Sequence, residues 1–270
     1  MTGGPGTNQK PATAARIYDY YLGGIHNFTA DQEAAKAILA KAPSIVAIAR
    51  ANRAFLGRAI RYLADSGVRQ YLDIGSGIPT EGNVHEVAQQ VVPDARVVYV
   101  DIDPVAVAES QELLEGNPYA TAVRGDLREP EKIIEHPQVR KVLDFTQPVA
   151  VLLVGVLYFV PDDAEAYPAM ERLLAPCVPG SHVVISHGTV DGEPVDERQL
   201  QSTTDIWRRQ TATPLSVRSR AQIERFFGGF ELIEPGLAWL PEWRPEPTDP
   251  ADFRDEPWRS RMLAGVGRLP

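Results

Sequence analysis

Two acidic side chains end apolar segments of this chain, and the first of them is followed by glycines. Asp73 lies two residues before Gly75 in the order Asp-Ile-Gly-Ser-Gly, and Asp101 ends the next apolar segment, 26 residues after Gly75. Glycine lets the backbone approach a ligand closely and adopt positive φ. An acid at the second strand end accepts hydrogen bonds from ribose hydroxyl groups in nucleoside-binding folds. The spacing predicts a nucleoside site, although an ordinary turn after a strand needs the same glycines.

The glycine turn lacks the end of a dinucleotide fingerprint. The third glycine of G-x-G-x-x-G would stand at position 80, where the chain has Thr80 after Pro79. Asp73 would also repel a pyrophosphate, whereas it suits a cationic ligand tail. These features favour S-adenosylmethionine (SAM) over a nicotinamide dinucleotide. A nicotinamide-dependent reductase is kept as a less favoured alternative.

A third acid, Asp126, follows the third predicted strand and precedes Leu127. An acid at this position can accept from an adenine amino group, and the Leu127 amide can donate to the ring. A helix cap is an equally good interpretation of Asp126. Asp103, directly before Pro104, is predicted to cap the next helix rather than to bind the ribose.

Few side chains near the predicted strand ends could act as a general base. His187 follows the fifth predicted strand and Tyr158 follows the fourth. A neutral imidazole suits proton transfer near neutral pH, but a hydrogen-bonded structural role is the favoured interpretation of His187. Asp162 and Asp163, which follow Pro161, are predicted to cap a helix. The spacing of His, Cys, Asp and Glu residues predicts no metal site.

The composition restricts the partners. The 270 residues include 36 acidic and 27 basic side chains, for a formal net charge of −9. Since nucleic-acid binding needs a basic face, no nucleic-acid partner is expected. Cys177 is the only cysteine, which excludes an internal disulfide and suits a cytoplasmic location. The apolar run at 149–160 is shorter than the ~20 residues of a membrane span, and the N-terminus lacks the apolar core of a signal peptide, so no membrane partner is expected.

Four segments are predicted along the chain. They are a disordered leader at 1–11, an annex of three helices at 12–67, an α/β domain at 68–244, and an extended proline-rich tail at 245–270 with at most a short helix near 256–265. The annex is a possible lid over the cofactor.

Strands and helices alternate through the α/β domain. Strands are predicted at 69–74, 96–101, 119–124, 149–155 and 182–187, and helices at about 82–92, 104–115, 128–136 and 162–176. This alternation implies right-handed crossovers and a parallel sheet. Further helices are predicted at 193–212 and 219–228, and a closing β-hairpin at 230–240 around Pro235-Gly236.

Several longer motifs carry a family resemblance. They lie at 16–24, 27–31, 51–56, 73–80 and 83–86. With the order Asp-x-Gly-x-Gly, strand-end Asp, Gly-Asp-Leu and apolar fourth strand, the chain resembles class I SAM-dependent methyltransferases over about residues 68–242. The N-terminal motifs narrow this to a SAM-methyltransferase-like family, mostly actinobacterial, with no settled substrate. The resemblance implies a Rossmann-like α/β fold with a seven-stranded, mainly parallel sheet, an antiparallel last strand, helices on both faces and the N-terminal helical annex.

The resemblance also implies which residues bind the cofactor. Those in the α/β domain are Asp73, Gly75, Ser76 and Gly77 near the methionine end of SAM, Asp101 and Ile102 at the ribose, and Asp126 and Leu127 at the adenine. Arg16, Tyr18 and Tyr21 would form a lid, since an aromatic ring can face a sulfonium and an arginine can clamp a carboxylate. In the alternative, the tyrosines pack the annex and the charges are solvated.

The predicted activity is methyl transfer from SAM to a small-molecule acceptor, with S-adenosylhomocysteine as product. The cofactor carries the activation, so the protein mainly positions the reactants and excludes water. Residues 152–159 lack the Asn/Asp-Pro-Pro-aromatic signature of amino-methylating enzymes, which argues against methylation of a nucleobase amine or of glutamine. The alternative is a SAM-binding regulatory or interaction protein without catalysis, and the sequence carries no signal for an oligomeric state.

Overall fold

The structure is a computed structural model that describes residues 11–79, 82–192, 207, 211 and 215–270. Its strands are β1 (Gln70–Ile74), β2 (Arg96–Asp101), β3 (Ala120–Arg124), β4 (Ala150–Val154), β5 (His182–Gly188), β6 (Glu231–Leu232), β7 (Ala238–Trp239) and β8 (Met262–Arg268). Its helices are α1 (Ala14–Tyr21), α2 (Thr29–Leu39), α3 (Ile45–Asp65), α4 (Val84–Val91), α5 (Pro104–Leu113), α6 (Pro130–Ile134), α7 (Pro137–Val142), α8 (Asp163–Leu174) and α9 (Arg220–Glu224). The predicted leader and the predicted helix at 193–212 lie almost wholly outside the described residues.

The first five strands form the parallel part of one sheet, in the order β3-β2-β1-β4-β5. Each pair is joined in parallel register, for example Asp73 beside Tyr99 and Val151 beside Val183. Strand–helix alternation produces this arrangement because each crossover must return the chain to the same edge of the sheet. The α/β fold class and the mainly parallel sheet are therefore confirmed.

The predicted hairpin at 230–240 is wrong, and so is the separation of the tail from the sheet. Residues 262–268, within the predicted tail, form β8, which pairs antiparallel with β5 along its whole length. The strands β6 and β7 do not pair with each other, since both pair antiparallel with β8. The strands β6 and β7 lie one after the other along the outer edge of β8, so the eight strands occupy seven positions in the sheet.

Two glycines explain why β8 escapes a sequence pattern. Gly265 and Gly267 lower the apparent strand propensity of the segment, yet each faces a phenylalanine at close range. A Cβ at Gly265 would lie 3.1 Å from the Phe227 ring, and a Cβ at Gly267 would lie 2.9 Å from Phe230. The glycines are therefore the residues that let these rings pack onto the sheet.

Helices cover both faces of the sheet. Tyr71 and Leu152 pack on one face with Phe55 of α3, and Leu72 and Leu153 pack on the other, where α6, α8 and α9 lie. The helices α1 and α2 form a smaller core with the start of α3. Within the described ranges, no helix combines the length and apolar character needed to span a membrane.

Candidate active site

The glycine turn lies at the carboxyl edge of the sheet, which is the edge where the parallel strands end. Gly75 and Gly77 both have positive φ, +69° and +68°. The Gly75 amide donates to the Val100 carbonyl at 2.7 Å, which fixes the turn to the end of β2. A Cβ on Gly75 would overlap the Val156 side chain, whereas no atom of residues 11–79, 82–192 or 215–270 lies within 4 Å of the Cβ position at Gly77. The turn is thus closed above Gly75 and open above Gly77.

Asp101 supports the open side of this turn. Its Oδ2 accepts from the Gly77 amide at 2.8 Å, and its Oδ1 accepts from the Asp103 amide at 2.8 Å. The residue is 7% exposed, and burial raises its pKa. Each carboxylate oxygen keeps a lone pair for a further donor. Asp103 caps α5 as predicted, because its carboxylate accepts from the Val105 amide.

Asp73 is a buried acid in a cleft beside the turn. The cleft is lined by residues that include Arg53, Asp73, Ser76, Gly77 and Asn83. Burial raises the pKa of Asp73 to about 7; the charge of Arg53 lowers this pKa and that of Asp101 raises it further. Arg53, on α3, donates to the Asn83 Oδ1 at 3.0 Å. Because the counter-charge around Asp73 is incomplete, the cleft favours a cationic group.

Asp126 is paired with a neighbour at the same edge. The Gly125 amide donates to the Asp101 carbonyl at 3.0 Å, which brings this segment to the end of β2. The Asp126 carboxylate accepts from the Arg128 Nε at 2.9 Å and from the Arg128 amide at 2.9 Å. Partial burial would raise the pKa of Asp126, but these bonds outweigh it and lower the pKa. The side chain of Leu127 is buried in the core.

Arg16 does not clamp a ligand in this structure. Its Nε pairs with Asp31 at 2.9 Å and its Nη1 with Asp103 at 3.1 Å, and its Nη2 donates to the Pro11 carbonyl at 2.6 Å. Three acceptors therefore satisfy the guanidinium, and the residue is only 3% exposed. These bonds do not support the predicted clamp, since Arg16 ties α1 to α2 and to the start of α5.

The two predicted lid tyrosines occupy different environments. Tyr21 is buried in the annex core, and its hydroxyl donates to the Ala35 carbonyl at 3.1 Å. The alternative of annex packing therefore holds for Tyr21. Tyr18 is partly exposed; its hydroxyl donates to the Ala49 carbonyl at 2.9 Å and lies 3.4 Å from the Asn52 Nδ2. Only Tyr18 thus reaches the polar groups at the strand ends.

A second polar group of residues lies at the ends of β4 and β5. The Ser186 hydroxyl donates to the Asn52 Oδ1 at 2.6 Å, which joins β5 to α3. Gly155, just after β4, has φ +75°. A Cβ at Gly155 would lie 3.0 Å from the Tyr158 Oη and 3.2 Å from the Asn52 Nδ2. The Tyr158 hydroxyl and the Asn52 amide thus both approach Gly155 closely, and the Tyr18 hydroxyl lies beside Asn52.

His187 is committed to the protein on both ring nitrogens. Its Nδ1 donates to the Gly188 carbonyl at 2.7 Å, and its Nε2 accepts from the Arg218 Nη1 at 2.9 Å. His187 is fully buried, and burial lowers its pKa to about 4. Since neither nitrogen is free to take a proton, a general-base role is not supported and the structural interpretation holds.

The acids after Pro161 are also structural. The Asp162 carboxylate accepts from the Ala164 amide and caps α8, as predicted. Asp163 pairs with the Arg218 Nε at 2.8 Å.

Tyr158 lacks a basic form near neutral pH, because burial raises its pKa well above the ordinary value. In the part of the chain that the structure describes, no three His, Cys, Asp or Glu side chains are grouped to hold a metal ion.

The arrangement of glycine turn and strand-end acids agrees with a family match. The sequence matches a family model described as S-adenosyl methyltransferase over residues 6–270. The chain belongs to this family. It is a SAM-dependent methyltransferase, and SAM is its cofactor. The match confirms the predicted family, enzyme class and cofactor, against the reductase that was kept as an alternative.

Solved structures support the same assignment. A candidate methyltransferase from Thermobifida fusca YX is 39% identical to the methyltransferase described here, with a TM-score of 0.88 over 98% of this chain and 97% of that chain. A DUF574 family protein from Streptomyces avermitilis MA-4680 is 37% identical, with a TM-score of 0.87 over 96% of this chain and 98% of that chain. An O-methyltransferase family protein from Burkholderia thailandensis is 13% identical, with a TM-score of 0.52 over 78% of this chain and 54% of that chain, and this likeness shows the fold alone. No curated protein matches the sequence.

The residues of the methyltransferase fit SAM on two observations. No atom of the described residues lies within 4 Å of the Cβ position at Gly77, so a ligand can lie against the backbone there. Asp73 is a buried acid with a raised pKa, and a sulfonium or an ammonium group would supply the charge that it lacks.

Sequence patterns did not assign a role to four residues of the methyltransferase site, namely Asn52, Arg53, Asn83 and Ser186. Asn52 is 5% exposed and Arg53 lines the cleft, yet both lie on the long amphipathic helix α3. A polar pair at the buried side of such a helix was the available signal. Its meaning depends on contacts with strands far along the chain.

Proposed function

We propose that this methyltransferase methylates a small molecule, with SAM at the ends of β1 and β2 and the acceptor at the ends of β4 and β5. The main support is the cover that the annex gives to the second position. Asn52 and Ser186 are 5% and 0% exposed, and the Tyr18 hydroxyl from α1 lies 3.4 Å from the Asn52 Nδ2. Buried polar groups of this kind suit a small molecule better than the surface of a macromolecule.

The proposal assigns the cofactor contacts to groups that retain bonding capacity. Asp101 would accept hydrogen bonds from the ribose hydroxyl groups, and Asp73 would offset the positive charge of the cofactor. Ile102 would cover one face of the adenine, while Asp126 and the Leu127 amide would meet its edge. Bound SAM would supply an electrophilic methyl group, and the role of the protein would be to position it and exclude water.

Tyr18 is the remaining lid residue in this proposal. Its hydroxyl is anchored to Ala49 of α3, so its ring is held in place beside Asn52. A held aromatic ring can face a sulfonium through a cation–π contact without losing further side-chain entropy. Ser76 and the backbone of Gly75 and Gly77 would lie along the methionine end of the cofactor.

Charge also favours a small acceptor over a nucleic acid. The chain carries a formal net charge of −9, so a polyanion would be repelled over most of the surface. Family membership favours an enzyme over the non-catalytic regulator that the sequence left open.

Tritium-labelled SAM and a cell extract test the proposal. The extract is separated into dialysable small molecules, proteins and nucleic acids, and each fraction is incubated with the enzyme. Label should pass into the dialysable fraction. Label that enters only protein or only nucleic acid would contradict the small-molecule acceptor. An Asp101→Ala enzyme should transfer little label, whereas Asp65→Ala, at the far end of α3, should match the wild type.

A further inference from the structure

Two hydrogen-bond donors without an acceptor converge over Gly155. The Cβ position of Gly155 lies 3.0 Å from the Tyr158 Oη and 3.2 Å from the Asn52 Nδ2. Within the described residues, the Tyr158 hydroxyl makes no hydrogen bond. An amide group has two N–H donors, and among the residues that the structure describes only one of those on Asn52 has a partner, the Tyr18 hydroxyl at 3.4 Å. Both groups are therefore free to bind one external acceptor atom.

The neighbouring bonds fix the direction in which these groups point. The contact between Ser186 Oγ and Asn52 Oδ1 is 2.6 Å, a length typical of O–H···O rather than N–H···O bonds. The Asn52 amide therefore turns its oxygen to Ser186 and its nitrogen to Gly155. The Tyr18 hydroxyl donates its hydrogen bond to the Ala49 carbonyl. Burial keeps Tyr158 protonated near neutral pH because it raises the pKa of that hydroxyl.

The same surroundings offer no proton acceptor for catalysis. Ser186 and Tyr18 already donate to protein oxygens, and His187 has no free nitrogen. In the part of the chain that the structure describes, no carboxylate contacts Tyr158 or Asn52. A site with two donors and no base suits a nucleophile that is already an anion near neutral pH.

We infer that the methyl acceptor is a small carboxylic acid, held as its carboxylate by Tyr158 and Asn52 and methylated on oxygen to give a methyl ester. This inference depends on the proposed function, because it names the acceptor class of the same site. The new bond joins a carboxylate oxygen to the methyl carbon while the bond between that carbon and the sulfur breaks. The electron pair stays on sulfur, S-adenosylhomocysteine leaves, and no proton is transferred.

Other acceptor classes suit this geometry less well. A primary amine, with a pKa near that of lysine at about 10.4, carries a proton that must first be removed. A thiol, at about 8.5, and an alcohol also keep their protons near neutral pH. Two hydrogen-bond donors cannot remove that proton from an amine, a thiol or an alcohol. A carboxylate needs no deprotonation, and it accepts charge-assisted hydrogen bonds from both donors.

The chemical stability of the product tests the inference. The dialysable fraction of the extract is treated with tritium-labelled SAM and the enzyme, and the products are then exposed to dilute alkali. Methyl esters release volatile labelled methanol, whereas N-methyl, S-methyl and methyl ether products do not. Mostly volatile label supports the inference. Label that stays non-volatile overturns it while leaving the proposed function intact, and label absent from the dialysable products counts against the proposed function itself.

Two variants test the donors, with the initial rate of volatile label as the readout. Tyr158→Phe should lower this rate about 10- to 100-fold, as expected for one hydrogen bond to a charged group. Its SAM affinity and melting temperature should stay at wild-type values, since the hydroxyl bonds nothing in the described protein. Tyr119→Phe, which removes an exposed hydroxyl at the opposite edge of the sheet, is the matched control. An unchanged rate for Tyr158→Phe would overturn the role of this donor.

The Asn52→Asp variant separates a hydrogen-bond donor role of Asn52 from a purely structural role. The aspartate keeps an oxygen for Ser186 but replaces the free N–H with an acceptor. A carboxylate substrate should then be repelled, so the rate should fall further than in Tyr158→Phe. An unchanged rate of volatile label would overturn the role of the Asn52 donor, and a rise in total label transfer with an alkali-stable product would indicate an amine acceptor and overturn the inference.

Discussion

The ends of β1 and β5 both hold buried ionisable side chains, but these side chains have different bonding partners. At β5, His187 bonds to the Gly188 carbonyl and to Arg218, and Arg218 pairs in turn with Asp163. At β1, Asp73 lies in a cleft with Arg53, and burial raises its pKa to about 7. The first group is complete within the protein, whereas the second still lacks charge compensation.

This difference separates structural groups from groups available to a ligand. A buried polar group whose bonds are all made by the protein has nothing left to offer a substrate. A buried carboxylate that lacks a full set of partners costs stability, and a bound cation can recover that cost. The contrast supports the proposal that the cofactor binds at the ends of β1 and β2. It leaves His187 and Arg218 to hold β5 against the segment after β4.

The largest expected effect concerns Asp101. Replacement by alanine should weaken SAM binding about 100-fold, because two hydrogen bonds from ribose hydroxyl groups to a charged acceptor would be lost. Isothermal calorimetry with SAM and with S-adenosylhomocysteine measures the change. Asp65→Ala, on the exposed end of α3, should bind both compounds like the wild type. Unchanged affinity in Asp101→Ala would contradict the assignment of Asp101 to the ribose, and with it the view that the ends of β1 and β2 bind the cofactor.

The pH dependence of SAM binding should be the next largest effect. With a pKa of about 7, Asp73 is largely protonated at pH 6 and largely ionised at pH 8. A cationic ligand favours the ionised form, so affinity should rise about tenfold from pH 6 to pH 8 and then level off. Calorimetry at several pH values measures this slope. Asp73→Asn should bind more weakly and lose the slope, whereas a slope retained in this variant would assign it to another group.

Arg53 should determine the pH at which the affinity for SAM rises. Its charge lowers the pKa of Asp73, so Arg53→Met should move the midpoint of the binding curve to higher pH. Arg16→Met is the matched control, because its guanidinium is bound by Asp31, Asp103 and the Pro11 carbonyl. Loss of Arg16 should lower the melting temperature and leave the midpoint in place. Equal midpoint shifts in both variants would contradict the separation of the two arginines.

The sequence predicts that the residues at the ends of β1 and β2 lie together, because the information for this placement is local. Each of Asp73, Gly75 and Asp101 stands at the end of an apolar run, and parallel strands bring such ends to one edge. The strands β1 to β5 are found within a residue or so of the predicted bounds for the same reason. An apolar run that ends in an acid or a glycine carries its boundary in its own residues.

The remainder depends on contacts between distant segments. Asn52 meets Ser186 across 134 residues, and no spacing in either segment indicates the pair. Arg16 resembles a ligand clamp until Asp103, 87 residues on, is found to bind it. The strand β8 was missed because Gly265 and Gly267 weaken its pattern while fitting the rings of Phe227 and Phe230. In each case the partner determines the role.

The smallest expected effect is a gain in stability. At Asp73, the effect of burial outweighs the attraction of Arg53. The free energy of unfolding of Asp73→Asn should therefore be about 1 kcal/mol higher than that of the wild type at pH 8, which raises the melting temperature by ~2–4 °C. The folded-state pKa of Asp73 is raised from 3.8 to about 7, so the contribution of Asp73 to the stability of the wild type falls as pH rises between these values. The advantage of the variant should therefore grow from about pH 4 to pH 7 and stay constant above that.

His187 contributes to stability with the opposite sign, which sharpens the measurement. Its pKa is lowered from 6.5 to about 4, so its contribution is complete above pH 6.5 and is lost as pH falls towards 4. In the wild type, the gain at Asp73 and the loss at His187 offset each other over this range. Asp73→Asn lacks the gain, so its melting temperature should fall more steeply below pH 6.5. Parallel melting curves for the two proteins would show that Asp73 is already compensated and that the ends of β1 and β5 do not differ.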